Sequence, residues 1–148
     1  MAEDLHIAVL MFIAHRSAEN RIVGAVRAAG YDDITIAQAR IAARLGPNGT
    51  RLTDLADQAG IAKQTATALV DRLERAGYVE RVVDPTDARA RLVRPARRAI
   101  EIIPIARAEE ARIQAEWTAH LGARRMRQLR EALTLLREIT DPYRADDE

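Results

Sequence analysis

Lys63, Gln64, Thr65, Thr67 and Arg72 sit together in the segment "KQTATALVDR". If that segment is a helix, Ala66, Leu69, Val70 and Leu73 form one apolar stripe and the polar side chains take the opposite face. A cation, an amide and hydroxyls arranged in this way can reach phosphates and base edges in a DNA major groove. Thr53, at the start of the preceding segment, can join them. A second set follows close behind: Arg89, Arg91, Arg94, Arg97 and Arg98, with no acid anywhere from residue 88 to 100. The formal net charge of the whole chain is only +1. The electrostatic footprint of a polyanion binder therefore lies in this local run and not in the overall balance.

Other chemistries find little support. The histidines are His6, His15 and His120, and none stands in a recognised metal-binding spacing. No Ser-His-Asp order, Gly-rich phosphate loop or carboxylate pair stands out, so no catalytic residue, metal site or cofactor is expected. The chain has no cysteine, which excludes disulfides, thiolate metal sites and thiol redox sensing. That suits a reducing cytosol, and a cytoplasmic location is expected. The N-terminal stretch "LHIAVLMFIA" is too short to span a bilayer and is preceded by Glu3 and Asp4, where a secretion signal needs positive charge. It reads as a buried helix, with no membrane partner.

The elements that must position these residues can be read from periodicity and breaks. The 148 residues are 48% apolar, enough for one domain with extensions. Residues 4–29 read as one helix stopped at Gly30, and residues 36–45 as a second, ended by "GPNG". A third starts near Thr53, a good cap residue, and ends at Gly60. A fourth covers about 63–76 and is closed by Gly77. The breaks at Gly60 and Ile61 have a reason: two helices crossing steeply need a small residue at the crossing, Ala56, and a turn with positive φ, which glycine adopts freely. The segment "YVERVVDPTDARARLVRP" reads as a two-stranded hairpin that stops before Pro95. Residues 96–142 are helical, with Pro104 starting or kinking a helix and Gly122 separating the last two. Met126, Leu129, Leu133, Leu136 and Thr140 step by three and four, a narrow coiled-coil-like seam.

The run "LTDLADQAGIAKQTATALVDRLERAGYVERVVDPTDARARLV" resembles the MarR family of winged-helix regulators. The resemblance spans about residues 34–98, and long helices on both sides extend it over nearly the whole chain. It implies a mainly α fold: a winged helix-turn-helix lobe at 34–98 with a two-stranded β wing. Dimerisation helices at 1–30 and 99–142 flank the lobe, and a frayed tail covers 143–148. The fourth helix would be the recognition helix. In the wing pattern D-x-R, Asp87 would orient the wing and Arg89 would enter the minor groove, where a narrow, negative groove suits arginine. Arg91 would lie beside it. Three departures accompany the match. Ala88 stands where a basic residue is frequent. Ala62 replaces a Ser or Thr helix cap, forfeiting about 1 kcal/mol. The stretch "VRPARRA" replaces the usual start of the fifth helix.

The resemblance further implies a homodimer, with Leu5, Val9, Trp117, Met126, Leu129, Leu133 and Leu136 as interface residues. Its function would be that of a repressor on double-stranded DNA, released from a palindromic operator by a small effector. Effectors in the family often bind between the dimerisation helices and the DNA-binding lobe. Met11, Phe12, His15 and Arg16 could there meet a small aromatic or anionic effector; the alternative for them is packing plus surface charge. Two other functions stay open on the sequence: a winged-helix protein-interaction module, and a ligand- or metal-binding protein without operator function.

Overall fold

The computed structural model describes residues 4–144. It is helical with one small sheet, in the order α1 (Ile7–Ala28), α2 (Ile36–Ala42), β1 (Thr50–Arg51), α3 (Leu52–Ala59), α4 (Lys63–Arg75), β2 (Val79–Asp84), β3 (Asp87–Pro95), α5 (Arg97–Leu121) and α6 (Ala123–Thr140). The chain divides into two compact units, residues 1–109 and 110–148. The predicted frayed tail falls partly on residues 145–148, which lie outside the described residues.

The first unit holds the helix-turn-helix and the wing. Its core is built from Ile34, Ile41, Leu55, Leu73, Val70, Tyr78 and Val93, all fully buried. Burying one such side chain stabilises the fold by about 1.5–3 kcal/mol. The predicted stripe of α4, Ala66, Leu69, Val70 and Leu73, is the face that α4 buries. Ala56 is buried on α3, where the two helices meet. Gly60 has φ 67° and ψ 35°, and the Ile61 amide donates back to the Ala56 carbonyl at 3.0 Å. The glycine thus closes α3 in the left-handed conformation that an L-residue adopts at a cost, and it turns the chain into α4. Thr35 caps α2 in a reciprocal box with Gln38.

Several expectations need correction. The wing hairpin β2–β3 is there, but the sheet has three strands in the order β1–β3–β2, all antiparallel. The added strand pairs Thr50 with Val93 and Arg51 with Leu92. The hairpin does not stop before Pro95: Pro95 ends β3 opposite Val79, a terminal position where the missing N–H costs little. Helix α3 starts at Leu52 with Arg51 at its N-cap, so Thr53 is an exposed residue of the first turn and not the cap. Helix α1 begins at Ile7, with the His6 ring accepting from the Ala8 amide, and α2 ends at Ala42. Pro104 starts no helix; it stands inside α5.

The second unit contains the last part of α5 and all of α6. Arg130 donates to the Gln114 side chain at 2.9 Å. No residue of α6 is buried within the single chain.

Candidate nucleic-acid interface

Helix α4 presents Lys63, Gln64 and Thr65 to solvent at its N-terminal end. Among the described residues none of the three has a side-chain hydrogen bond or ion pair. The Thr67 hydroxyl is half-buried and donates to the Lys63 carbonyl at 2.9 Å. In this arrangement its lone pairs are the part left open to a partner. The N-cap Ala62 makes no side-chain cap bond, so the first amides of α4 are open to a phosphate. Arg72 is exposed without a carboxylate partner among the described residues.

The same outward stripe carries residues that the sequence reading passed over. Ala68 and Arg75 follow Gln64 at helical spacing and are exposed; a methyl at Ala68 suits contact with a thymine methyl. Asp71 and Glu74 also lie on α4, and carboxylates there would repel phosphate. Arg81 of β2 holds both: its guanidinium lies 2.7 Å from Asp71 and 2.7 Å from Glu74. The wing thus neutralises the acids of the helix it flanks. Two pairings across the helix–wing junction were beyond what local spacing could reveal.

Within the wing, the Asp87 carboxylate accepts the Arg89 amide at 3.0 Å. That bond shapes the backbone at the start of β3 and leaves the Arg89 side chain exposed. Arg91 makes only a long contact, 3.4 Å, to the neighbouring Ala90 carbonyl. A second acid was missed. Asp84 is buried and accepts from the Thr86 hydroxyl (2.7 Å), the Thr86 amide (2.8 Å) and Arg51 (2.8 and 3.1 Å). Thr86 first, and Arg51 after it, hold the Asp84 carboxyl at about 2, well below the usual carboxylate range. The only sequence signal for this was the turn "DPTD", in which an aspartate commonly bonds the amide two residues on.

The acid-free run from 88 to 100 is less open than its sequence suggests. Arg94 pairs with Glu80, and Arg97 pairs with Glu101 at 3.0 Å. Arg98 binds Asp33 through both terminal nitrogens, at 2.6 and 3.0 Å. Of the five arginines expected to form the footprint, Arg89 and Arg91 keep their charge unpaired; Arg94, Arg97 and Arg98 do not.

The proposed effector residues lie on α1. Arg16 stacks on the Phe12 ring at 5.6 Å, and Phe12 is 54% exposed. His15 approaches Glu19 at 3.5 Å, and Glu19 is bound by Arg40 of α2 at 2.7 Å. The Arg40 hydrogen bond keeps the Glu19 carboxyl below its usual range. Met11 is half-buried. These four side chains share one stretch of helix. An open cleft of about 450 Å³ lies elsewhere, at Leu121, Arg124, Arg125 and Gln128. Among the described residues no three His, Asp or Glu side chains are gathered as metal ligands, and no helix is long and apolar enough to cross a membrane.

Of the residues expected at a dimer interface, Leu5, Val9, Leu129, Leu133 and Leu136 are exposed within the single chain, and Trp117 and Met126 are half-buried.

The comparisons with known proteins bear on this geometry. The sequence profile of the MarR family matches residues 32–90, from the turn before α2 into the wing. No curated protein sequence matches the chain. Among solved structures, MarR is 27% identical with a TM-score of 0.71, over 90% of this chain and 96% of that one. A transcriptional regulator of Thermotoga maritima is also 27% identical, with a TM-score of 0.60 over 95% and 96%. NadR, solved in complex with 4-hydroxyphenylacetate, is 24% identical with a TM-score of 0.70 over 92% and 95%. Residues 32–90 thus match the MarR family, and the fold of the chain is similar to that of MarR-type transcriptional regulators.

Proposed function

We propose that the protein is a sequence-specific, cytoplasmic DNA-binding regulator that acts as a homodimer and represses transcription until a small effector releases it. The observation that carries the DNA-binding part is the separation of free from paired charge. Lys63, Gln64, Thr65, Arg89 and Arg91 are exposed and uncommitted, whereas the acids of α4 are held by Arg81. An exposed helix end with open amides, beside an exposed wing arginine, fits a major groove and the adjoining minor groove.

Dimerisation is supported by exposed apolar surface. Leu5, Ile7, Val9, Leu10, Phe12 and Ile13 are all exposed on or just before α1, and Leu129, Leu133, Leu135, Leu136 and Ile139 on α6. A monomer in water does not keep so much apolar side chain uncovered. Two recognition helices about 34 Å apart would then meet successive major grooves. The effector part is supported by Phe12, His15 and Arg16 on one helix and by the aromatic carboxylate bound in NadR. Such a ligand weakens DNA binding only as far as it prefers a lobe arrangement unlike the DNA-bound one.

The test is fluorescence anisotropy on labelled duplex DNA, with sedimentation of the same sample and a panel of aromatic acids, phenols and divalent metals. The proposal expects a dimer, tighter binding to some duplexes than others, and release by an aromatic acid or phenol. Monomers, or binding that ignores sequence, would refute it; release by zinc alone would move the effector to a metal.

A further inference from the structure

Arg98 was expected among the DNA-facing cations, yet the structure commits it elsewhere. Its guanidinium donates to both oxygens of Asp33 and, at 2.9 Å, to the Ala76 carbonyl. Ala76 is the C-cap of α4, Asp33 lies in the turn before α2, and Arg98 stands in the first turn of α5. The guanidinium also sits over the Tyr78 ring at 4.3 Å and the Tyr31 ring at 5.5 Å. Tyr78 is fully buried and donates its hydroxyl to Asp33 at 2.6 Å. Tyr31 donates to Glu101 of α5 at 2.8 Å. Two backbone bonds complete the join: Ala96 N–H to the Tyr78 carbonyl (2.9 Å) and Arg98 N–H to the Gly77 carbonyl (3.3 Å). One side chain thus ties the end of the recognition helix, the α1–α2 turn and the start of α5.

We infer that Arg98 is a positioning residue for DNA recognition: with Asp33 and Tyr78 it fixes the C-terminal end of α4, and so the aim of Lys63 and Gln64, without touching DNA itself. The inference rests on the DNA-binding reading above. The lever is long enough to matter. The 13 residues of α4 span about 20 Å at 1.5 Å per residue. A tilt of about 10° at the Ala76 end would move the Lys63 end by about 3 Å, beyond the reach of a base-edge hydrogen bond. A fork that holds a carboxylate bidentately and a carbonyl at once resists such a tilt in a way that a single ammonium cannot.

The sign of one substitution separates this role from a phosphate contact. Asp33→Asn removes a negative charge near the DNA-binding lobe and releases the guanidinium. Simple electrostatics then strengthens DNA binding; loss of the positioning contact weakens it. The experiment titrates the full-length protein and its Arg98→Ala, Arg98→Lys, Asp33→Asn and Tyr78→Phe variants against a duplex selected from random DNA, at several salt concentrations. Stoichiometric titration gives the active fraction of each. Arg98→Ala and Asp33→Asn should each weaken the selected duplex about ten-fold or more, the size of one lost base contact. The active fraction should stay unchanged in both, the salt slope of Arg98→Ala should stay at the wild-type value, and Asp33→Asn should bind random duplex no more weakly than wild type. Tyr78→Phe should weaken it less, and Arg98→Lys should fall between wild type and Arg98→Ala.

Tighter binding by Asp33→Asn would overturn the inference, as would a flatter salt slope in Arg98→Ala or wild-type affinity in both. If Arg98→Ala fails to fold, Asp33→Asn alone decides, because its carboxylate is partly exposed. A reduced active fraction with wild-type affinity in the remainder would mean a folding role only, and would also overturn it. Failure of the wild-type protein to select any duplex would instead strike the DNA-binding reading.

Discussion

The salt dependence of DNA binding should follow the pairing of cations in the fold and not their number in the sequence. On α4 and the wing, Lys63, Arg72, Arg75, Arg89 and Arg91 are exposed with no carboxylate partner among the described residues, so these two elements offer about ten such charges in a dimer. Each neutralised phosphate contributes about 0.9 to the slope of log affinity against log salt, which bounds the slope at about 9. Were Arg94, Arg97 and Arg98 also free, the bound would rise to about 14. The sharpest contrast is between two arginines of the same strand. Arg89→Ala removes two unpaired charges per dimer; it should flatten the slope by up to about 2 and weaken binding by about 1–3 kcal/mol. Arg94→Ala removes a charge already neutralised by Glu80 and should leave the slope within about 0.5 of wild type. Anisotropy titrations between 50 and 200 mM potassium chloride on one selected duplex give both numbers. Equal flattening by the two substitutions, or a wild-type slope well above 9, would refute the reasoning.

Four further outcomes are expected. Leu133→Glu places a charge on the exposed apolar face of α6; burying it unpaired in a dimer costs several kcal/mol, so sedimentation should show monomers that no longer bind the operator. Gly60→Ala forces a side chain into φ 67° at a cost of about 1–2 kcal/mol, lowering the thermal midpoint by about 3–10 °C. Asp84 has a folded-state pKa of about 2, below its usual value of 3.8. Its ionised form therefore stabilises the fold at neutral pH, and that stability is lost as pH falls from about 4 towards 2; urea midpoints of Asp84→Asn should be lower than wild type at pH 7 and converge with it in acid. Arg16→Ala should blunt release by an aromatic acid in the anisotropy assay while leaving effector-free DNA binding intact.

What could be read from the sequence was local. Ala56, Gly60 and Ile61 fix the helix crossing within a few residues, and the stripe from Ala66 to Leu73 repeats within one helix, so both were legible. Strand β1 is two residues long and carries no periodicity; it exists because Thr50 and Arg51 meet Val93 and Leu92 far along the chain. The basic run failed for the same reason. Its arginines lie close together in sequence, but Asp33 and Glu80, the partners of Arg98 and Arg94, lie 65 and 14 residues away. Thr53 is a good cap residue, yet Arg51 holds the N-cap because β1 runs directly into α3. The seam of Leu129, Leu133 and Leu136 on α6 was expected from spacing, whereas the N-terminal stretch, read as a buried helix, leaves Leu5 and Val9 exposed within the single chain. Ile7, Leu10 and Ile13 on α1 are exposed too, and on α6 Leu135 and Ile139 add exposed apolar side chains outside the narrow seam.

Two copies of this chain that read DNA through paired recognition helices must select a symmetric site. Repeated selection from a random duplex library with the purified protein, followed by sequencing of the bound pool, tests it most directly. The bound pool should carry a two-fold-symmetric motif whose half-sites lie about 10 base pairs apart, centre to centre, and whose enrichment collapses for Gln64→Ala. A pool that stays random, or one enriched for a single asymmetric site bound equally well by Gln64→Ala, would contradict it.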